Sequence, residues 1–469
     1  MLGEAQVFAM SITRARPAEP DIATLIARYD GRAPRYTSYP TAVQFTPAVT
    51  PSRYREWLAA LPPAEAVSLY LHIPFCARLC WYCGCNTRAL NDRKPIGAYV
   101  DLLLAELEML TAALPAKLTA SAIHLGGGTP NMLSEAELAA IFGALGSKFE
   151  LAADVEIAAE LDPKVLTSDW VKAAASHGLS RASLGVQNLD PKVQAAVNRR
   201  DTREEIEAGV GWLRAAGVRS INLDLMYGLP HQTRANTLAT LDVLLPLRPE
   251  RMALFGYAHV PWMKQHQKLI AEDALPGPAA RLEQSESAAE RLIGEGYVQI
   301  GLDHFALPTD ELAVAAREGR LHRNFQGYTT DAAGTLLGLG ASAIGVLPQG
   351  FVQNTAQEMA WRRAVGAADL PIARGVERSS EDRFRSEIIE RLMCDFEVDL
   401  AAICAMHRRP MSQLATAISS LSPFERDGLV RRVGDHVFVT QRGRFLIRSV
   451  CAVFDAYLTE DAPRHAKAI

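Results

Sequence analysis

Apolar, strand-like runs recur along the first half of the chain with room for one helix between each pair, and this spacing constrains the fold more than any other feature. The runs are VSLYLHI (67–73), SAIHLGG (121–127), DVEIAAE (154–160), RASLGVQ (181–187), RSINLDLM (219–226) and RMALFGYAH (251–259). Near-continuous apolar strands separated by helices make a parallel sheet buried on both faces. The stretches between them suit helices: YVDLLLAELEMLTAAL (99–114) repeats apolar residues at three-and-four spacing. Successive βα units of roughly 30 residues predict an α/β fold built as a partial or full barrel. In such barrels functional residues gather at the C-terminal strand ends. Polar or small residues stand there in this sequence. A cysteine-rich loop follows the first run and Gly126–Thr129 the second; Glu160 and Gln187 end the third and fourth, Asp224 lies on the fifth, and Ala258 and His259 close the sixth.

The loop after the first run, HIPFCARLCWYCGCN, carries Cys76, Cys80, Cys83 and Cys85. A cubane iron-sulfur cluster needs one ligand per iron, so three thiolates spaced C-x3-C-x2-C leave one iron open to a bound molecule. Structural zinc usually takes its ligands as two separated pairs, and this loop is too compact for that pattern. The reading is therefore a [4Fe-4S] cluster on Cys76, Cys80 and Cys83. Cys85 stands outside the ligand set, as a free thiol or a spare ligand.

The cysteine loop resembles that of the radical S-adenosylmethionine superfamily. The ordered set PRYTSYPT, YLHIPFC, CGCN, GGGTP, SLGVQ, NLDLMYGLP, YAHVP and NFQGYTT, from Pro34 to Thr330, is similar to the oxygen-independent coproporphyrinogen III oxidase family. That resemblance implies the partial (β/α)6 form of the barrel, its open side covered by other segments, and S-adenosylmethionine as the molecule at the open iron. It implies two such molecules per chain. It also implies a catalytic part for Cys85 and, less directly, for His72, which is equally suited to fixing the loop. Contacts to adenosylmethionine follow by motif membership for Tyr70, Tyr82, Gly127, Gly128, Thr129, Glu160, Gln187, Arg199, Asp224, Ala258 and Ile344. Each has an ordinary structural alternative. Triple glycine suits any strand-to-helix turn, Tyr82 could pack the loop, Glu160, Gln187 and Asp224 could be satisfied core polar groups, and Arg199 alone would read as a surface helix arginine. Its fork geometry nevertheless suits a carboxylate.

The substrate implied, coproporphyrinogen III, carries four carboxylates on a flexible macrocycle, so its cavity should mix apolar surface with cationic and hydroxyl donors. Arg35, Tyr36, Tyr39, Arg323, Gln326 and Tyr328 are the candidates. The implied reaction turns two propionates into vinyl groups, with one adenosylmethionine used for each and an electron supplied from outside, by a small redox protein.

A chain of 469 residues is long enough for two or three domains. Around Leu370–Asp382, PIARGVERSSED breaks the pattern with Pro, Gly and a helix-start signal. The expected division is an N-terminal arm (1–62), the barrel and its extension (63–369), and a mainly helical terminal domain (370–469) in which DGLVRRVGDHVFVTQRGRFLIRSV reads as a winged-helix-like pattern. The wing could serve DNA, through Arg431, Arg432, Arg442, Arg444 and Arg448, which would make the chain an iron-sulfur regulator. A formal charge of −4 over this length argues against general affinity for nucleic acid. A haem-carrying relative is the other alternative; such relatives typically lack the cysteine at Cys85 and the PRYTSYPT arm. Seven cysteines with no disulfide-like framework suit a reducing compartment. No signal-peptide leader frames the short apolar stretch near the start, and no run is long enough to span a membrane. The expected protein is a cytoplasmic monomer.

Overall fold

The structure, a computed structural model, describes residues 20–458 apart from 30 and 32. The stretch weighed as a leader lies outside the described residues. All the predicted runs form strands: β1 (Ala66–Ile73), β2 (Thr119–Gly127), β3 (Glu150–Leu161), β4 (Arg181–Gln187), β5 (Ser220–Tyr227) and β6 (Arg251–Gly256). They pair in sequence order and in parallel, each with the next. β1 and β6 do not pair with each other, so the barrel is open. Beyond β6 the sheet continues antiparallel through β7 (Val298–Ile300) and β8 (His304–Ala306), β8 lying next to β6. On the other edge β9 (Thr335–Leu339) runs parallel to β1, and β10 (Ile344–Leu347), β11 (Gly350–Asn354) and β12 (Ile372–Glu377) follow as an antiparallel meander.

Two boundaries differ from the sequence reading. The sixth strand stops at Gly256, short of His259, because the next backbone acceptors go to side chains: Arg281 Nη2 donates to Tyr257 O at 2.8 Å and Gln267 Nε2 to Ala258 O at 3.3 Å. The stretch Ile372–Glu377, beyond the expected break at 370, is β12, the sheet's last strand. A helix then starts at Ser380, where Ser379 and Asp382 form a reciprocal cap.

Three of the helices that cover the parallel strands begin with the same chemistry. Ser134 and Glu137 cap the helix after β2, Thr202 and Glu205 the one after β4, and Thr233 and Asn236 the one after β5. The arm has two allegiances. Val49, Tyr54, Trp57, Leu58 and Leu61 pack in the barrel core, whereas Leu25, Tyr36 and Tyr39 pack in the terminal core with Phe384, Ile388, Leu446 and Phe454. In the terminal unit a hairpin forms from Val430–Val433 and His436–Val439, joined by a third strand at Glu397–Asp399. No described helix is long and apolar enough to cross a membrane.

One buried carboxylate joins the barrel to its extension. Glu106 lies on α1 (Lys94–Ala112), faces inward and is fully buried. It accepts from Gly340 N at 2.9 Å, Asn354 Nδ2 at 2.6 Å and Trp361 Nε1 at 2.8 Å, so one side chain fixes both ends of the β9–β11 meander and the helix after it. Burial raises its pKa to about 7, against these three donors. Glu106→Leu would strand all three donors in the core, each worth about 1–3 kcal/mol. The expected outcome is a loss of at least about 3 kcal/mol in urea unfolding, with Glu106→Gln losing less because one acceptor remains.

Candidate active site

The loop from Phe75 to Asn86 has almost no regular structure, so other elements satisfy its backbone. Trp81 N donates to Val197 O at 3.0 Å, Leu90 N to Cys76 O at 2.9 Å, and Asn198 Nδ2 to Leu79 O at 2.9 Å. Three donors come from the loop that follows β6: Lys264 Nζ to Cys85 O at 3.0 Å, His266 Nε2 to Cys83 O at 2.7 Å, and Gln267 Nε2 to Tyr82 O at 3.1 Å. Sequence reasoning missed these residues. Their run, WMKQHQK, has no strand or helix period, and only the closing of the barrel top brings it onto the cysteines.

The thiols meet groups that favour thiolates. Thr87 bonds both Cys76 and Cys83, Thr129 bonds Cys76, and Arg199 Nη1 lies 3.5 Å from Cys80 Sγ. Burial pushes Cys76 up to about 11, while a hydrogen bond from the Cys85 thiol pulls Cys83 down to about 6. Cys85 is raised in turn, first by that bond and the Cys83 charge, then by burial. Its surface is exposed only in the sense that it faces the cavity described below. No three His, Cys, Asp or Glu among the described residues are close enough to hold one metal ion, whereas a cubane takes each thiolate on a separate corner.

Behind the loop, His72 is held on both sides. Its Nε2 donates to Asn86 O at 2.9 Å, which leaves Nδ1 to accept from Tyr70 Oη at 3.0 Å, and burial lowers its pKa. The ring sits against Gly127, whose φ is +105° and where an added Cβ would lie 2.3 Å from the imidazole. A Cβ on Gly128 would lie 2.6 Å from Phe75 O. The glycines therefore make room for β1 and the cysteine loop. The Gly127 and Gly128 amides are already engaged, by Glu160 Oε2 at 2.9 Å and Ile73 O at 2.8 Å.

Arg199 is buried, not on the surface. Its guanidinium donates to Asp201, to Gly185 O, to Tyr82 Oη at 3.1 Å and toward Cys80, with Asp162 at 3.6 Å. Arg78 joins the same two carboxylates from the cysteine loop. The network locks the loop to the ends of β3 and β4. Opposing charges and the surrounding carboxylates hold the Arg199 pKa well above its ordinary value, despite burial.

All of this opens on a cavity of about 420 Å³, within the range of small-molecule sites. Tyr82, Cys83 and Cys85 form one part of its wall; Glu160, Gln187, Asp224 and Ala258 line the strand ends; Arg35, Gln326 and Tyr328 contribute from the arm and from the hairpin His322–Thr329. Burial raises Asp224 to about 6, against donors from Ser183 at 2.8 Å and Asn222 at 2.7 Å. His124 Nε2 meets Glu160 Oε1 at 3.2 Å. The other candidates lie off this wall. Tyr70, His72, Cys76, Cys80, Gly127, Gly128, Thr129 and Arg199 stand behind it, and Ile344 starts β10. Tyr36 and Tyr39 point into the terminal core instead, where Tyr36 Oη donates to Asp455 at 3.0 Å and Tyr39 Oη accepts from Ala456 N at 2.8 Å. Arg323 stacks over Tyr328 at 4.4 Å from the wall's outer side.

Comparison with known proteins decides the family. Residues 70–244 match the radical SAM superfamily and residues 379–446 the HemN C-terminal domain. The chain is 47% identical over 438 residues to the oxygen-independent coproporphyrinogen III oxidase of Bradyrhizobium diazoefficiens, covering 93% of this chain and 97% of that one. It is 43% identical to the enzyme of the same name from Paracoccus denitrificans, covering 92% and 95%. The solved structure of coproporphyrinogen III oxidase from Escherichia coli, described as a radical SAM enzyme, superposes with a TM-score of 0.88 at 36% identity, over 94% of this chain and all of that one. The chain belongs to the oxygen-independent coproporphyrinogen III oxidase family. As in that family, the fold is the open α/β barrel of radical SAM enzymes, and the cofactors are a [4Fe-4S] cluster and S-adenosylmethionine.

Two outcomes follow from this geometry. Cys76→Ser, Cys80→Ser and Cys83→Ser should each lose bound iron and visible absorption after anaerobic reconstitution, because a hydroxyl replaces a thiolate at an iron, whereas Cys85→Ser should keep both. Arg199→Ala should lower stability by about 3–5 kcal/mol, since it breaks a buried ion pair and leaves Asp201 with Arg78 alone. Arg200→Ala, exposed next door, should stay within about 0.5 kcal/mol of the parent in the same urea titration.

Proposed function

We propose that this chain converts coproporphyrinogen III to protoporphyrinogen IX without oxygen, by oxidative decarboxylation of two propionates to vinyl groups in haem synthesis. The observation that carries the reading is one cavity shared by the cysteine loop and the polar strand ends, in a chain of which 93% aligns with the family. When bound, the cluster and adenosylmethionine supply a 5′-deoxyadenosyl radical able to take a hydrogen atom from a propionate β-carbon. Loss of carbon dioxide and of one electron to an outside acceptor then leaves the vinyl group.

The residues divide the work. Cys76, Cys80 and Cys83 would hold three irons of the cluster, with the hydroxyls of Thr87 and Thr129 and the Arg199 guanidinium beside them. Tyr82, Glu160, Gln187, Asp224 and Ala258 line the space for adenosylmethionine, with Glu160 kept ionised by His124 and the Gly127 amide in spite of burial. Tyr70, His72, Gly127, Gly128 and Thr129 act from behind the wall, holding the loop in place. Cys85 faces the cavity beside Cys83 and is placed to touch substrate or adenosylmethionine. Two decarboxylations would use two adenosylmethionines, with Ala258 and Ile344 as further contacts to them. A small redox protein supplies the electron, and the enzyme works as a monomer in a reducing compartment. The arm, the barrel with its sheet extension to Glu377, and the terminal unit that begins at the Ser379 cap enclose the substrate together, the arm's split packing tying the other two.

The regulator alternative loses its cations. Arg432 pairs with Glu425 at 2.7 Å, Arg431 and Arg444 lie over Phe438 and Phe396 at 4.4 Å, and Arg442 and Arg448 donate to the arm carbonyls of Pro20 and Ala33.

Anaerobic reconstitution with iron and sulfide, followed by adenosylmethionine, a low-potential reductant and coproporphyrinogen III, tests the proposal. Protoporphyrinogen IX should form with one adenosylmethionine consumed per vinyl group. Adenosylmethionine cleavage with no vinyl product would overturn it.

A further inference from the structure

The charges inside the barrel are balanced pair by pair. Arg181 meets Glu156 at 3.0 Å and Arg251 meets Asp310 at 2.7 Å, so the cationic side chains on the cavity floor each have a carboxylate. The outer wall differs. Arg35, on the arm, faces the cavity and donates to Gly256 O at 3.1 Å at the end of β6. Among the described residues Arg323, on the hairpin His322–Thr329, donates only to Arg35 O, at 3.5 Å, and its Nε and Nη1 are buried with no hydrogen-bond partner. Neither has a carboxylate within 4.0 Å among the described residues; Asp303, which both face, is bonded to His304 at 2.8 Å. Arg448, from the terminal unit, is almost fully buried and donates to Ala33 O at 3.3 Å, two residues before Arg35, and the charges of Arg35 and Arg323 both act on it. Buried cations are ordinarily paired, because the desolvation of an unpaired charge is costly. Orphaned guanidinium N–H groups beside a cavity call for an anion, and their fork geometry suits a carboxylate.

We propose that Arg35, Arg323 and Arg448 form a carboxylate-binding site at the outer wall of the cavity, one guanidinium each from arm, barrel extension and terminal unit. Resting on the function proposed above, the site takes propionate carboxylates of the macrocycle. The cysteine loop follows β1 and the arginines gather at the end of β6, so the propionates they hold are those not presented to the cluster. Arg35 and Arg323 bond the carboxylate directly, Tyr328 stacks on Arg323 and fixes its plane, and Arg448 adds a third positive charge behind them. Burial first, and then the neighbouring Arg35, lower the Arg448 pKa to about 10.

The test uses coproporphyrin III, the non-reacting aromatic form with the same four propionates, titrated into reconstituted enzyme and followed by fluorescence. Arg35→Gln and Arg323→Gln should each weaken binding by about 10- to 100-fold, the range for a lost charged hydrogen bond. Arg323→Lys, which keeps the charge but not the fork, should recover only part. KM for coproporphyrinogen III should rise by a similar factor while the dissociation constant for adenosylmethionine holds, a split that a general loosening of the fold would not give. Arg35 faces the cavity and has no core contact to lose, so its variant remains informative if Arg323→Gln does not fold. Unchanged coproporphyrin affinity in Arg35→Gln overturns the site, as does a wild-type enzyme that does not bind coproporphyrin III. Turnover by the wild type with arginine-independent binding overturns the site and keeps the function; arginine-dependent binding without vinyl product keeps the site and overturns the function.

Discussion

A loop that must turn three thiols toward one object pairs little of its backbone with itself, and the rest of this structure is arranged around that deficit. The segment from Phe75 to Asn86 sends its carbonyls to Asn198, Lys264, His266 and Gln267, which lie on connections following β4 and β6. Those connections must arrive at the same place as the loop after β1. Only a sheet that curls brings the tops of its first, fourth and sixth strands together. The open barrel is in this sense a support for one irregular loop.

The second shell of that support is ionic. Arg78 and Arg199 both meet Asp162 and Asp201, one on each oxygen of Asp201, so two cations and two anions neutralise one another where no water reaches Asp201. Burying such a set is costly unless every partner is in position, and breaking it is costlier. The arrangement thus penalises any displacement of the cysteine loop from β3 and β4. It also explains how a helix-end arginine that looks superficial in the sequence comes to be held beside a cluster ligand.

The strands were legible because their apolar runs are long and their intervals regular; the polar strand ends Glu160, Gln187 and Asp224 do converge on one cavity for the same reason. Less legible was what a period-2 pattern hides inside a mostly apolar run. His124, Glu156, Arg181, Ser183, Asn222 and Arg251 sit within strands and face the cavity, and in β4 the burial alternates residue by residue. A strand read as uniformly buried conceals that alternation. The motif residues Tyr36 and Tyr39 show the opposite failure. Their place in the sequence beside Arg35 suggests a shared site, yet chain direction sends Arg35 to the cavity and the tyrosines to the terminal core. The end of the sixth strand and the position of β12 were hidden as well, since both depend on side chains and partners far along the chain.

The arm's divided packing has a consequence for synthesis. Tyr36 bonds Asp455, 419 residues away, and shares a core with helices that are among the last parts of the chain to be made. At about 5–20 residues per second, the arm waits roughly 20–80 s on the ribosome before its partners exist. Through that interval Leu25, Tyr36 and Tyr39 have no native surface to cover them, although Tyr54, Trp57 and Leu58 can already join the growing barrel. The barrel can therefore be assembled before the terminal unit closes over it, which leaves its mouth open while the nascent chain is still being extended.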